Sequence, residues 1–405
     1  MTPKLIFPFA YNNRLDQVTK FDRQTTWGYT KDNKDFIDLS LGSCGSFPLG
    51  FKRQDFAEYV ASKSKDFAHL SGEFLTTNDT ILNLSDTYYN YSNGYRSIFS
   101  LSGSDAVESA IRIASLYHKL NDSSNKTLML GFEDSYHGST YMSSSISGST
   151  YFHHLFGRHP MCVTLSYDIV SITNRIYELG PDNISCLIVE TCSWQAGLYE
   201  QSEDWWKAIR KICRENNIIF IVDDIAFSGA KTSRFFGYPP IAEPDLVCFG
   251  KAISGGYYPL SGVLVNDKLY TAIQDIKFTH GFTYSFSQSG MLSALYYNEV
   301  VKNENILENF DSVHQAGATL VENLKNIKCV SRSRNYGMLW CLDLDIKPYT
   351  DTEISNVFLN NGLYLGLWND ISRTPRILLQ MPTVYDEVYI NQLQSRLQNT
   401  LSQLV

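Results

Sequence analysis

The chain has 405 residues, 43% of them apolar, which is enough to bury a large core and to divide into a major and a minor domain. Its 34 basic and 42 acidic residues give a net charge of −8 with no basic cluster, so no nucleic-acid partner is expected. No apolar run approaches the ~20 residues that span a bilayer, and "MTPKLIFPFAY" is too short and proline-broken for a signal peptide, so no membrane partner and a cytoplasmic location are expected.

In chain order, apolar β-branched runs alternate with helical stretches, the signature of a mostly parallel sheet covered by helices on both faces. The first strand candidate, "RSIFSLS" (96 to 102), runs into Ser102-Gly103-Ser104 and a helix with Val107, Ala110, Ile111 and Ala114 on one face. A glycine at a helix start, where N–H groups converge, forms a cradle for an anion, although the same Ser and Asp also make an ordinary helix cap. The strand "KTLMLGF" (126 to 132) is followed by "FEDSYHGST", whose Tyr136, His137 and Gly138 lie in a polar loop. That loop suits either a flat ligand under the tyrosine ring or a simple turn. "SCLIVET" (185 to 191) precedes the helix "SEDWWKAIRKICREN", with Trp206, Ile209 and Cys213 on one face. "NIIFIVDD" (217 to 224) then ends in Asp223 and Asp224, carboxylates at the end of a buried strand where such sheets bind ligands or where helices are capped. "DLVCFG" (245 to 250) ends at Lys251, and "SGVLVN" (261 to 266) follows. From about 291 onward long helical stretches give way to "YGMLWCLDLD" and "PRILLQMP", two short strands of a smaller α+β domain. The expected division is an N-terminal segment 1–45 packing with the small domain, a large domain 46–290 and a small domain 291–405. The eight cysteines show neither CxxC pairs nor His-ligand spacing, so buried free thiols and no metal are expected.

Singly, each of these features has a bland reading. Together, a phosphate cradle, a stacking ring, a strand-end carboxylate and an amine are the four handles that pyridoxal 5′-phosphate requires: phosphate, ring face, ring nitrogen and aldehyde. In that order, "SGSDAVESAIRIA", "YHGST", "IVDDIAFSG", "PDLVCFGKAISGGYYPLSGVLV" and "HGFTYSFSQSG" resemble the motifs of the class III (omega-type) aminotransferases, fold type I pyridoxal-phosphate enzymes. The likeness runs from about residue 27 to the C-terminus, with "WGYTKDNKDFIDLSLG" resembling the opening strands. Within the class, "FAHLSGEF", "WWKAIRKICRENNIIFIVDDIA" and "ILLQMPTVY" are most similar to the diaminopelargonic acid synthases.

The resemblance implies an α/β fold type I transferase that moves an amino group by ping-pong from an amine or amino-acid donor to an oxo acceptor. It assigns Lys251 as Schiff-base anchor and proton shuttle, Asp223 as partner of the ring nitrogen, and Tyr136 and Ile225 as the two faces around the ring. His137 would be a further cofactor contact, and Gly103 and Ser104 phosphate contacts, joined by Thr283 from the other subunit of a homodimer with shared active sites. Arg373 or Arg376 would grip a substrate carboxylate. The chain departs from the class pattern where substrate is chosen. It carries Ala226 for a glutamine, Asp224 for a glutamate, Thr191 for a proline after Glu190, "LGFKRQDF" for GHxHP, and "SGAKTSR" for GFGRTG, which puts Lys231 and Ser233 where arginine and glycine are usual. A shared lysine motif leaves aminomutase, epimerase or decarboxylase chemistry open, as well as a non-catalytic cofactor-binding protein.

Overall fold

In this computed structural model the described residues are 6, 19–70, 75–121, 123, 125–366 and 375–404. A seven-stranded sheet forms the centre, in the order Arg96–Ser100, Ser261–Val265, Leu246–Phe249, Ile219–Asp223, Ile184–Glu190, Leu128–Phe132 and Cys162–Leu165. Only Ser261–Val265 runs antiparallel to its neighbours. Six of these strands are the expected ones, with ends moved by up to two residues. The seventh, Cys162–Leu165, was not expected: it is a four-residue edge strand with two half-buried positions, too short for the alternation to register.

Alternation along the middle strands explains why the sheet is covered twice. Ile219 and Ile221 pack with Ala106, Ala110 and Ala114 of helix Gly103–Leu120, whereas Phe220 and Val222 pack on the opposite face against Trp205, Trp206 and Ile209 of helix Glu203–Glu215. All five residues of this strand are buried. Each such Ile, Val or Phe contributes about 1.5–3 kcal/mol relative to an exposed one, so any other register would forfeit contacts on both faces. Asp223 and Asp224 are carried inside with them.

Two smaller sheets complete the chain. Val330–Tyr336, Leu339–Leu344 and Arg376–Gln380 form an antiparallel sheet, while Arg23–Gln24, Gly28–Lys31, Lys34–Asp38 and Leu363–Tyr364 form the other. One core joins Ile37 and Leu39 to Val313, Leu320, Trp340, Leu342, Ile377 and Leu393, so the N-terminal strands share apolar packing with the C-terminal region. Helix Gln288–Asn303 crosses the expected 290/291 division and packs Met291, Ala294 and Tyr297 beside Phe249 and Tyr88. The described cysteines are eight buried free thiols. Among the described residues, no helix is long and apolar enough to cross a membrane.

Candidate active site

The carboxyl ends of the parallel strands converge on one place, the position at which open α/β sheets bind ligands. Asp223 closes strand Ile219–Asp223 and pairs in register with Glu190 on one side and Cys248 on the other, three residues before Lys251. Lys251 opens a single 3-10 turn, Lys251–Ser254, with a left-handed φ of 49°. Such a conformation costs a residue with a side chain of order 1–3 kcal/mol, and here it turns the amine out of the strand direction.

Asp223 is held from both sides. His137 Nδ1 lies 2.8 Å from Asp223 Oδ2, with both side chains buried, and the Ile225 N–H donates to Asp223 Oδ1 at 3.1 Å. Ile225 links the rest of the site: a Cβ added to Gly103 would meet its Cδ1 at 2.9 Å, and one added to Gly250 would meet its Cγ2 at 3.5 Å. Glycine at 103 therefore lets the helix start press against Ile225. Ser102 caps that helix through the Asp105 N–H, and Asp105 returns the bond to the Ser102 N–H, so the cap reading of this run is correct in itself. The N–H groups of Gly103 and Ser104, inside the first turn, precede the helix's own bonding and remain suited to an anion.

The Tyr136 loop is fastened to this helix start. Gly138, at φ 131°, has no room for a side chain because a Cβ would lie 2.4 Å from Ser104 Oγ, which also accepts the Ser139 N–H at 2.9 Å. Tyr136 Oη is 3.0 Å from Ser139 Oγ, and its ring lies 4.5 Å from Phe152 and 5.9 Å from Trp194 between centroids. The indole of Trp194 in turn has Lys251 Nζ 5.8 Å from its ring centroid.

Three buried groups beside this cluster went unassigned in the sequence. Glu190 is pushed well above the usual carboxylate range by burial and by its neighbour Asp223. Asp224 accepts from Thr191 Oγ1 and the Gly237 N–H, and burial pushes it up to about 7. Lys231 is buried with its Nζ donating to the Cys44 carbonyl at 3.0 Å, and burial, followed by the nearby Lys251 charge, lowers it to about 7. Cys44 belongs to a run of positive φ from Leu41 to Gly45, anchored by Asp38, which accepts from Ser40 and Gly42.

The remaining expected residues are farther out. Thr283 is exposed in a turn following His280, whose Nε2 lies 2.8 Å from Ser109 Oγ on helix Gly103–Leu120. Arg376 is half-buried, its Nη1 donating to the Gln195 carbonyl at 3.3 Å and its Nε 3.9 Å from Asp343. Arg373 lies outside the described residues.

The sequence profile of the family "Aminotransferase class-III" matches residues 11–401. The chain belongs to the class-III aminotransferases. Similar proteins include the adenosylmethionine-8-amino-7-oxononanoate aminotransferase of Methanocaldococcus jannaschii, 27% identical over 66% of this chain and 68% of that one. The acetylornithine aminotransferase of Caldanaerobacter subterraneus is 25% identical over 98% of this chain and 97% of that one. Among solved structures, an amine transaminase from an uncultivated Pseudomonas species in its pyridoxal-phosphate-bound form superposes with a TM-score of 0.89 at 21% identity, covering 100% of this chain and 99% of that one. A transaminase from the marine bacterium Virgibacillus gives 0.89 at 22% identity, with 99% and 97% covered. This class-III aminotransferase has the α/β fold expected of fold type I, and its cofactor is pyridoxal 5′-phosphate.

Proposed function

We propose that Lys251 is the attachment point for the cofactor aldehyde and that Asp223 faces the ring nitrogen. The observation that carries this reading is the packing of Ile225, whose side chain touches both Gly103 and Gly250 while its N–H bonds Asp223. Carboxylate, helix start and the glycine that precedes Lys251 thereby meet around one side chain. The bound cofactor supplies an electron sink that acidifies the C–H of an attached amine. Asp223 holds a proton at the ring nitrogen, and with Nδ1 protonated His137 donates to Asp223 Oδ2 and fixes the carboxylate in place. Gly103 and Ser104 would offer N–H groups to the phosphate, Tyr136 and Ile225 would flank the ring, and Lys251 Nζ would hold the aldehyde and serve as the base that moves a proton at the reacting carbon.

A homodimer with shared sites, in which Thr283 reaches the phosphate of the partner subunit, is supported by the exposure of its turn beside helix Gly103–Leu120. Arg376 is our candidate for a substrate carboxylate, because its guanidinium lies at the Trp194 turn, where among the described residues it donates to a carbonyl and has Asp343 3.9 Å away. The diaminopelargonic-acid-synthase-like relatives make 8-amino-7-oxononanoate the acceptor to test first. Eight uncrosslinked thiols agree with a reducing, cytoplasmic setting.

Borohydride reduction of the holoenzyme followed by peptide mapping tests the core of this reading: the pyridoxyl label belongs on Lys251, and a label elsewhere overturns it. Absorbance of the bound cofactor, followed while donors such as S-adenosylmethionine, L-glutamate and L-ornithine are added, then identifies the donor by its conversion to the pyridoxamine form.

A further inference from the structure

We propose that His280 is a positioning residue for the cofactor phosphate: its bond to Ser109 fixes the turn from which Thr283 reaches the site of the partner subunit. The inference rests on the reading of Thr283 as a phosphate contact. The approach to that turn is nearly bare of polar ties. Among the described residues, the backbone N–H groups of 277–281 make no hydrogen bond, and a Cβ on Gly281 would meet nothing within 4 Å. Phe278 packs at the margin of the core that holds Ala106 and Ala110. The polar tether of this stretch is His280 Nε2, 2.8 Å from Ser109 Oγ.

The bond is defined at both ends. Ser109 is buried and donates its own proton to the Asp105 carbonyl at 2.8 Å, so the imidazole is the donor and its proton sits on Nε2. Burial, and after it the Arg112 charge, hold His280 below the ordinary histidine value against the pull of Glu108 and Asp105, which favours that neutral form. The rings of Phe278 and Phe282 stand edge-on to the imidazole at 5.7 and 5.3 Å between centroids and restrict its swing. Ser109 lies in the second turn of the helix whose first turn carries Gly103 and Ser104, and His280 stands three residues before Thr283. One helix thereby sets the cradle of its own site and the turn that serves the partner subunit. Past Thr283 the chain is held separately: the Phe282 N–H donates to Ser285 Oγ, the Ser287 N–H to the Tyr284 carbonyl, and Ser287 bridges to His69. With that end closed, the His280 end decides how far Thr283 extends.

The test uses the full-length dimer loaded with pyridoxal 5′-phosphate or with pyridoxal, which lacks the phosphate, and follows loss of bound cofactor on dilution by its absorbance. The quantity read is the ratio of the two loss rates. His280→Ala should shrink that ratio about five- to tenfold, and Ser109→Ala should do the same from the helix side. His280→Gln, whose amide can still donate to Ser109, should stay within about twofold of wild type. Thr283→Ala should shrink the ratio at least as far, and adding His280→Ala to it should change little more. A ratio unchanged in both His280→Ala and Ser109→Ala overturns the proposal, whether or not the losses themselves speed up, because the bond then serves the fold and not the phosphate. A His280→Gln variant that behaves like His280→Ala overturns it too. A ratio that Thr283→Ala leaves unchanged overturns instead the reading of Thr283, and this proposal with it, a result that needs no His280 variant to fold.

Discussion

Two charged clusters, one at the ends of the central strands and one on the small antiparallel sheet, are built on opposite terms. At and beside the ends of the central strands, Asp223, Asp224, Glu190, His137 and Lys231 are all buried, the side chains of His137 and Lys231 with one partner each and those of Asp223 and Asp224 with two. On the small antiparallel sheet, Arg332, Arg334 and Arg376 share Asp343, the ring of Tyr199 and the carbonyls of the Trp194 turn, and Arg376 is half-exposed. A buried charge with one partner is costly to disturb, whereas a guanidinium among several acceptors exchanges them cheaply. The first cluster suits fixed chemistry common to a class, and the second suits recognition that varies between members.

That contrast predicts a gradient of effects. Lys251→Ala removes the attachment amine, so turnover should vanish while circular dichroism and the melting curve stay close to wild type; residual turnover above background would disprove the assignment. Asp223→Asn keeps the shape and removes the charge, and turnover should fall about a hundredfold or more, roughly 2.7 kcal/mol of transition-state stabilisation. A variant within about threefold of wild type would reduce Asp223 to a strand-end cap for the Ile225 N–H.

The two clusters also differed in how far the sequence disclosed them. The strand-end positions of Asp223 and Lys251 are legible in the sequence because a buried strand must end, and its end lies at the edge where such sheets bind ligands. The partnership of His137 with Asp223 was not, since it spans 86 positions and depends on how the Tyr136 loop returns over the sheet. Strand Val330–Tyr336 is not legible because its pattern, "VSRSRNY", is polar throughout its middle, with Arg332 exposed and Arg334 half-buried against Asp343. Lys231 was visible only as a departure from the class pattern, and its burial follows from the Leu41–Gly45 turn that covers it.

Sharing of sites between subunits can be tested without a structure. Lys251→Ala disables a subunit's own site, and Thr283→Glu would repel the phosphate in the site of the partner subunit. Mixing the two inactive proteins with subunit exchange makes about half the dimers hybrid, each with one intact site, so about a quarter of wild-type activity should return. No recovery, with exchange confirmed by mass, would show that Thr283 serves its own subunit or none. In the arginine cluster the expected effect is smaller: Arg376→Lys should raise KM for carboxylate-bearing substrates about tenfold, because a bidentate fork is lost, and leave simple amines unchanged. Equal losses for both would make Arg376 a support for the Trp194 turn.

The smallest effect belongs to Lys231, which lies in the buried cluster although no cofactor contact is proposed for it. Its ammonium form is disfavoured in the folded protein, where it loses its proton near 7, while the unfolded chain keeps that proton to the ordinary lysine value of 10.5. Between those limits the unfolded state binds more protons, so this group makes the protein more stable as pH rises from 7 and less stable as pH falls back through 7. Asp224 works in the opposite sense at lower pH, its raised value favouring the folded state below 3.8 and losing that advantage as pH rises to about 7. Lys231→Met keeps the length of the side chain and deletes only the proton site, so the melting temperature of wild type relative to this variant should climb between pH 7 and pH 9 by about 2 to 4 °C. The lost bond to the Cys44 carbonyl adds an offset that does not vary with pH, which leaves the slope as the diagnostic quantity. Parallel melting curves across that range would mean that Lys231 remains charged in the folded protein, with the Cys44 carbonyl and the Asp224 carboxylate sufficient to hold it so.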